Sequence, residues 1–140
     1  AGDMLPRIIE RMAQLRMTNR FHFTGFLRGR QLEEMFAMSD LYVMPSVSEP
    51  FGITPFEAAK YGVPVIISKQ SGITEVFQNA IKVDFWDIDK LARSMIDVLS
   101  KEGLSKSMVE GGFHELEKID WVHSAGKVLE TYYKTLDQKH

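Results

Sequence analysis

Two glutamates, Glu49 and Glu57, lie with seven residues between them in the stretch SVSEPFGITPFEAAKYGVPVII, positions 46–67. The stretch predicts a loop that carries Glu49, a short helix with Glu57 in its first turn, and then a buried strand. In α/β domains, ligands bind where loops leave the carboxyl ends of parallel strands, so both carboxylates can face one ligand. Such carboxylates accept hydrogen bonds from hydroxyl groups or stabilise a developing positive charge.

Glu49 has two interpretations. A sugar is a natural partner, because its hydroxyl groups are the donors that a carboxylate accepts. The alternative is a solvated loop glutamate, which is the ordinary state of a charged loop residue.

The segment between the two glutamates, Phe51, Gly52, Ile53 and Thr54, leads directly into the predicted helix. Free backbone N–H groups at a helix start attract an anion such as phosphate, and Gly52 has no side chain to block a close approach. The alternative is that Gly52 only permits a tight turn and that Phe51 fills the core.

Glu57 also has two open interpretations. The spacing Thr54-x-x-Glu57 fits a capping box, in which Glu57 bonds back to the backbone of Thr54 and stabilises the helix by about 1 kcal/mol. A carboxylate beside a phosphate is equally well placed for the two hydroxyls of a ribose, which offer paired donors.

Helices alternate with short strands along the rest of the chain, which predicts parallel pairing in an α/β layered domain, a Rossmann-like sheet flanked by helices. We predict strands at 21–25, with Phe21 and Phe23 in the core, and at 41–45, 64–68 and 80–84. The first predicted helix follows the N-cap Asp3 and has Pro6 in its first turn. Further helices are predicted at 31–38, at 54–61 with Gly62 as stop, at 73–79, from the cap Asp87 to Gly103, at 104–119, and from the cap Asp120 onward.

The composition limits what the chain can be. Its 140 residues, 44% hydrophobic and 26% charged, are typical of one globular domain. A formal net charge of −2 gives no general attraction for nucleic acid, so we expect no nucleic-acid partner. The chain has no cysteine and its four histidines lack metal-ligand spacing, so we expect no disulfide and no bound metal.

The apolar runs are far shorter than the roughly 20 residues of a membrane helix. We expect a soluble chain in the cytoplasm, and leave a peripheral membrane association of a longer parent protein open.

The run PSVSEPFGITPFEAAKYGVPVIISKQSGITEV, positions 45–76, resembles the C-terminal nucleotide-sugar-binding domain of retaining glycosyltransferases of the two-Rossmann-domain (GT-B) type, family 4, also called group 1. Weaker similarity extends upstream to the opening Ala1-Gly2-Asp3. The shared positions keep the family's order and spacing: Pro45-Ser46, Glu49-Pro50-Phe51-Gly52, Glu57-Ala58-Ala59, Gly62-Val63-Pro64-Val65, and Gly72 with Glu75.

The resemblance implies a role for each matching position. Glu49 would be the catalytic residue that contacts the donor sugar, and Glu57 would hold the nucleotide ribose. The backbone at Phe51, Gly52, Ile53 and Thr54 would meet sugar hydroxyls and phosphate, Gly72 would belong to the donor site, and Gly25, Phe26 and Leu27 would lie near the base. Family members transfer the sugar of a nucleoside-diphosphate sugar with retention and without a metal, and positive groups stabilise the leaving diphosphate.

The resemblance also implies that residues 1–140 are a partial donor-binding domain that lacks its first strands. The basic residues that grip the diphosphate and the N-terminal acceptor domain both precede the matching region in the family. None of Arg28, Arg30 and Lys69 matches those basic positions, and the family's glycine pair reads Ser71-Gly72. We expect an inactive fragment that self-associates through exposed strand edges.

Two other functions remain open from the sequence. A glycoside hydrolase could use Glu49 and Glu57 as its carboxyl pair. A nucleotide-binding or structural fragment would have no activity of its own. The sequence does not identify the donor base, the sugar or the acceptor.

Overall fold

The computed structural model describes residues 2–118 and 121–137. The chain separates into two compact units, 1–35 and 36–140. The first unit contains α1 (Leu5–Gln14), a single 3₁₀ turn (Thr18–Arg20) and most of α2 (Arg30–Ala37), since the boundary between the units falls inside α2.

Two predictions for the first unit are wrong. Asp3 does not cap α1, because Met4 occupies the N-cap position and makes no side-chain capping bond, although a proline does lie in the first turn. Residues 21–25 form no strand, and Phe21 and Phe23 are about half exposed. Alternating residues define two faces, but a strand also needs a neighbour for its backbone hydrogen bonds, and no described segment pairs with this one.

The second unit confirms the α/β class. Its sheet has three parallel strands in the order β1-β2-β3, with Val43 opposite Ile66 and Ile66 opposite Ile81. The strands are β1 (Tyr42–Met44), β2 (Val65–Ser68) and β3 (Ile81–Val83), and the helices are α3 (Thr54–Lys60), α4 (Ile88–Ser100), α5 (Glu102–Leu116) and α6 (Trp121–Asp137). The predicted helix at 73–79 is a shorter 3₁₀ turn, Gly72–Glu75.

The core forms around β2, which is buried along its whole length, as a central parallel strand requires. Ile66 packs there with Val83, Val98 and Met108, which come from β3, α4 and α5. The β-branched side chains of β2 therefore join the sheet to two helices.

Several predicted helix ends are confirmed. Asp87 caps α4 by accepting a hydrogen bond from the backbone N–H of Lys90 at 2.9 Å. Gly62, with φ +72°, ends α3, and the N–H groups of Gly62 and Val63 return to Ala59 and Ala58, as in a Schellman motif.

Of two predictions at later helix ends, one is wrong and the other is not tested. α4 ends at Ser100, so Gly103 is not its stop but lies in the first turn of α5. The predicted cap Asp120 lies outside the described residues.

Gly111 and Gly112 lie inside α5, and at Gly111 another side chain occupies the space that a Cβ would need. A Cβ at Gly111 would overlap the side-chain amide of Asn79, and one at Gly112 would lie 3.6 Å from the Cβ of Ala59. The cost of glycine in a helix is therefore offset at Gly111 by close packing against Asn79.

Helix α6 exposes several large apolar side chains, including Val128, Leu129, Tyr132 and Leu136. Among the described residues, no helix has the length and apolar character needed to cross a membrane.

Replacing Glu115 by alanine should lower the free energy of unfolding by about 1–3 kcal/mol, because its carboxylate accepts bonds from the backbone N–H groups of Gln78 and Asn79 at 2.9–3.0 Å. Urea denaturation measures the change. Glu117→Ala is the matched control: its side chain is 78% exposed and lies 3.6 Å from an exposed histidine, so a change below about 0.5 kcal/mol is expected. Equal effects of the two substitutions would contradict the prediction.

Candidate functional site

Glu49 lies on the loop that leaves β1, and backbone contacts hold that loop beside the end of β2. The carbonyl oxygen of Glu49 accepts a hydrogen bond from the N–H of Gly72 at 2.9 Å, and Glu49 and Ser71 form an isolated parallel bridge. A Cβ at Gly72 would overlap the carbonyl oxygen of Pro50. Gly72 therefore has to be glycine for the two loops to approach this closely.

Ser71 stands in place of the first glycine of the expected pair, and its backbone conformation does not require glycine. Its backbone is extended, with φ −84° and ψ 136°, a conformation open to any residue. Its side chain is buried, and its hydroxyl has no hydrogen-bond partner among the described residues. Of the two positions, Gly72 is thus the one that fixes the loop path.

Gly52 brings the side chain of Glu49 close to the start of α3. Gly52 adopts φ +74°, and a Cβ there would lie 3.0 Å from Cγ of Glu49 and 3.3 Å from Cε of Met44. The left-handed backbone favours glycine, and any side chain here would press on the side chains of Glu49 and Met44. The Glu49 side chain therefore lies against the loop backbone rather than extending freely into solvent.

The predicted capping box at α3 is wrong. Ile53 occupies the N-cap position without a side-chain capping bond, and Thr54 is the first helical residue. The hydroxyl of Thr54 instead accepts a hydrogen bond from the hydroxyl of Tyr42 at 2.8 Å and lies 3.9 Å from the sulfur of Met44. Residues 42 and 44 share a face of β1, so the side chains on this face contact the Thr54 hydroxyl that a capping box would require.

Glu57 is consequently available for another partner. Its side chain is partly buried in the first turn of α3, and its carboxylate has no hydrogen-bond partner in the described part of the chain. Because there is no capping box, helix capping does not explain the glutamate at position 57.

Tyr42 is the site residue that sequence reasoning missed. Burial raises the pKa of its phenol above the ordinary value of about 10, the hydrogen bond with Thr54 opposes this, and the charges of Glu57 and then Glu49 raise the pKa further. Both carboxylates thus act on one phenol. The available signal was a hydroxyl-bearing side chain in an otherwise apolar strand.

Phe51 and Ile53 are both about half exposed, so the interpretation of Phe51 as a core side chain is wrong. The Phe51 ring lies 6.2 Å from Phe56, which lies 5.0 Å from the buried Phe77. These ring contacts anchor the loop to the buried Phe77 and leave part of the Phe51 ring exposed.

A second polar cluster lies where β2 and β3 end. Lys69 donates to the carboxylate of Asp84 at 2.7 Å, and the side-chain amide of Gln70 donates to the other carboxylate oxygen at 3.1 Å. The bonds from Lys69 and then Gln70 lower the pKa of Asp84 below its ordinary range. Lys69 is therefore paired at this sheet edge.

The predicted base-binding residues lie in the first unit. Gly25 has φ +68°, Leu27 is partly buried, and Phe26 is 80% exposed. The guanidinium of Arg28 lies 4.7 Å from the centre of the Phe26 ring. Within the second unit the structure brings together the other predicted site residues, Glu49, Phe51, Gly52, Ile53, Thr54, Glu57 and Gly72.

Residues 2–118 and 121–137 contain no group of three or more His, Asp or Glu side chains placed to hold a metal ion. The predicted absence of a metal requirement stays a prediction.

The sequence and fold can be compared with known proteins. A model of the family Glycosyl transferases group 1 matches residues 1–115. The chain belongs to this family. It is 32% identical over 136 residues to an uncharacterised glycosyltransferase of Methanocaldococcus jannaschii, a match that covers 94% of this chain and 35% of that protein.

Solved structures share the fold of this chain. Sucrose-phosphate synthase from Thermosynechococcus elongatus has a TM-score of 0.82 at 23% identity, with 98% of this chain and 35% of that chain covered. Anabaena HepE, solved in complex with UDP, has a TM-score of 0.82 at 22% identity, with 94% and 37% covered. The chain thus spans about a third of the length of these proteins.

The phenol of Tyr42 should titrate above pH 10, and Glu57→Gln should move its pKa down, because one nearby negative charge is removed. Carbon-13 NMR of the labelled tyrosine ring measures both values. Glu117→Gln removes an equally charged but remote, exposed group and should leave the Tyr42 pKa unchanged. An unaltered pKa in Glu57→Gln would show that this carboxylate does not act on the phenol.

Proposed function

We propose that this chain supplies part of the donor site of a longer glycosyltransferase, which transfers the sugar of a nucleoside-diphosphate sugar with retention. One observation carries the proposal: the Glu49 side chain packs against Gly52, two residues before α3, and Glu57 lies in the first turn of that helix without a hydrogen-bond partner among the described residues. Two carboxylates placed in this way suit a ligand with several hydroxyl groups.

Each site residue has a proposed role. Glu49 is the catalytic residue and contacts the donor sugar, while Glu57 accepts hydrogen bonds from the ribose hydroxyls. The backbone from Phe51 to Thr54 and at Gly72 meets sugar hydroxyls and phosphate. The loop Gly25-Phe26-Leu27 contacts the base, and the exposure of the Phe26 ring supports this role.

The comparisons support a nucleotide-sugar donor and a longer parent protein. Anabaena HepE has been solved with UDP and with UDP-glucose, which makes UDP the first nucleotide to test. The chain covers 35% of its M. jannaschii relative, so the acceptor domain and the groups that grip the diphosphate belong to other parts of the parent. The 140-residue chain alone does not turn over substrate, and the reaction needs no metal.

Family membership favours transfer over hydrolysis as the use of the two glutamates. Anomeric analysis of the product by NMR tests retention, and an assay with EDTA tests the metal requirement. Release of free sugar from a simple glycoside, with no transfer from a nucleotide sugar, would favour the hydrolase instead.

In the full-length parent, Glu49→Gln should reduce sugar transfer at least about 100-fold, because a group that acts on the reacting sugar is lost. Transfer from labelled nucleotide sugars measures the rate, and circular dichroism checks that the fold persists. Glu110→Gln, an exposed change on α5, is the control and should keep normal turnover. Near-normal turnover in Glu49→Gln would overturn the catalytic assignment.

In the same protein, Glu57→Gln should weaken UDP binding about tenfold, because charged acceptors make the stronger hydrogen bonds to hydroxyl donors. Isothermal calorimetry measures the affinity, with Glu110→Gln again as control. If UDP, GDP and ADP all give no heat with the unaltered protein, the nucleotide-binding proposal fails and a structural role is favoured.

A further inference from the structure

The hydroxyl of Tyr42 joins β1 to the first residue of α3, and the proposed function gives it no role so far. We propose that Tyr42 is a positioning residue of the donor site: by holding Thr54, it fixes the first turn of α3 and thereby the direction of Glu57. This inference rests on the proposed function and deepens it.

The contacts form a continuous set from Tyr42 to the Glu49 loop. Tyr42 donates to the Thr54 hydroxyl at 2.8 Å, and that hydroxyl lies 3.9 Å from the sulfur of Met44. The terminal carbon of Met44 and the side chain of Glu49 both pack against Gly52. One side of β1 therefore contacts both the helix start and the loop that carries the proposed catalytic residue.

Thr54 and Glu57 are three positions apart on α3, so their side chains lie on the same side of the helix. A bond that fixes the Thr54 side chain against β1 therefore limits rotation of the helical face from which Glu57 projects. α3 has only seven residues and no side-chain cap at its N-terminus, so little within the helix itself fixes that direction.

The ring of Tyr42 has a separate packing role, which a phenylalanine would keep. It lies edge-on to Phe36 at 5.9 Å, and Phe36 in turn stacks on Tyr61 at 6.1 Å. Tyr42→Phe therefore removes the hydroxyl and leaves these ring contacts. The substitution separates positioning from packing.

Because Glu57 is proposed to bind the ribose, misdirecting it should weaken donor binding in the ground state and the transition state alike. KM for the donor should then rise while kcat changes little. A purely structural defect would instead lower the amount of active protein, which reduces apparent kcat at an unchanged KM.

The test measures donor KM and kcat of the full-length parent with Tyr42→Phe, Thr54→Val, and both together. Each single variant should raise KM about two- to tenfold, the range of one lost hydrogen bond, with kcat nearly constant. The double variant should be no worse than the worse single variant, because both remove the same bond. Tyr132→Phe, the same change on an exposed tyrosine of α6, should leave both constants unchanged.

Three outcomes would overturn the inference. An unchanged KM in Tyr42→Phe while Glu57→Gln raises it rejects the positioning role but leaves the proposed function standing. Additive effects in the double variant show that the hydroxyls act separately. If the unaltered protein neither binds nor uses a nucleotide sugar, the proposed function fails, and the inference fails with it. Should Tyr42→Phe fold poorly, Thr54→Val tests the same bond from the helix side.

Discussion

The close backbone approach between the 46–53 loop and the loop after β2 is the constraint on which the candidate site depends. The Gly72 N–H bonds to the Glu49 carbonyl, and the Pro50 carbonyl occupies the space that any side chain at position 72 would need. This contact continues the parallel β1-β2 pairing past the ends of the strands, through the bridge between Glu49 and Ser71. The loop that carries Glu49 is therefore held by the sheet as well as by its own turn.

At the start of α3, the Thr54 hydroxyl could either form a capping box or bond to Tyr42. A capping box would satisfy a backbone N–H of the helix and is worth about 1 kcal/mol. The bond from Tyr42 is worth a similar amount, and it joins the helix to β1 at a partly buried position, where an unpaired phenol would be costly. The structure adopts the second arrangement, which gives the partly buried phenol of Tyr42 a hydrogen-bond partner and leaves Glu57 free for a ligand.

Much of the fold could be predicted because local chemistry and tertiary structure agree. The β-branched run of β2, the cap Asp87 and the left-handed Gly62 each have one favourable local state, and each adopts it. The strand at Phe21 was predicted wrongly, since alternation is a local pattern whereas pairing needs a partner in space. The cap at Thr54 was predicted wrongly for a related reason: Tyr42 lies twelve positions earlier, and sequence spacing does not reveal that they meet. The spacing of Glu49, Gly52 and Glu57 did predict which residues share one region, because the loop and first helical turn are contiguous in sequence.

The charges at the site indicate which parts of the proposed donor its residues suit. Glu49 and Glu57 both act on the phenol of Tyr42, so negative charge is concentrated on this side of β1. Lys69, on the loop between β2 and Gly72, is engaged with Asp84 at 2.7 Å. Carboxylates favour hydroxyl donors and repel a diphosphate, whose two negative groups need positive partners. Under the proposed function, these carboxylates therefore suit the sugar and ribose hydroxyls of the donor better than its diphosphate.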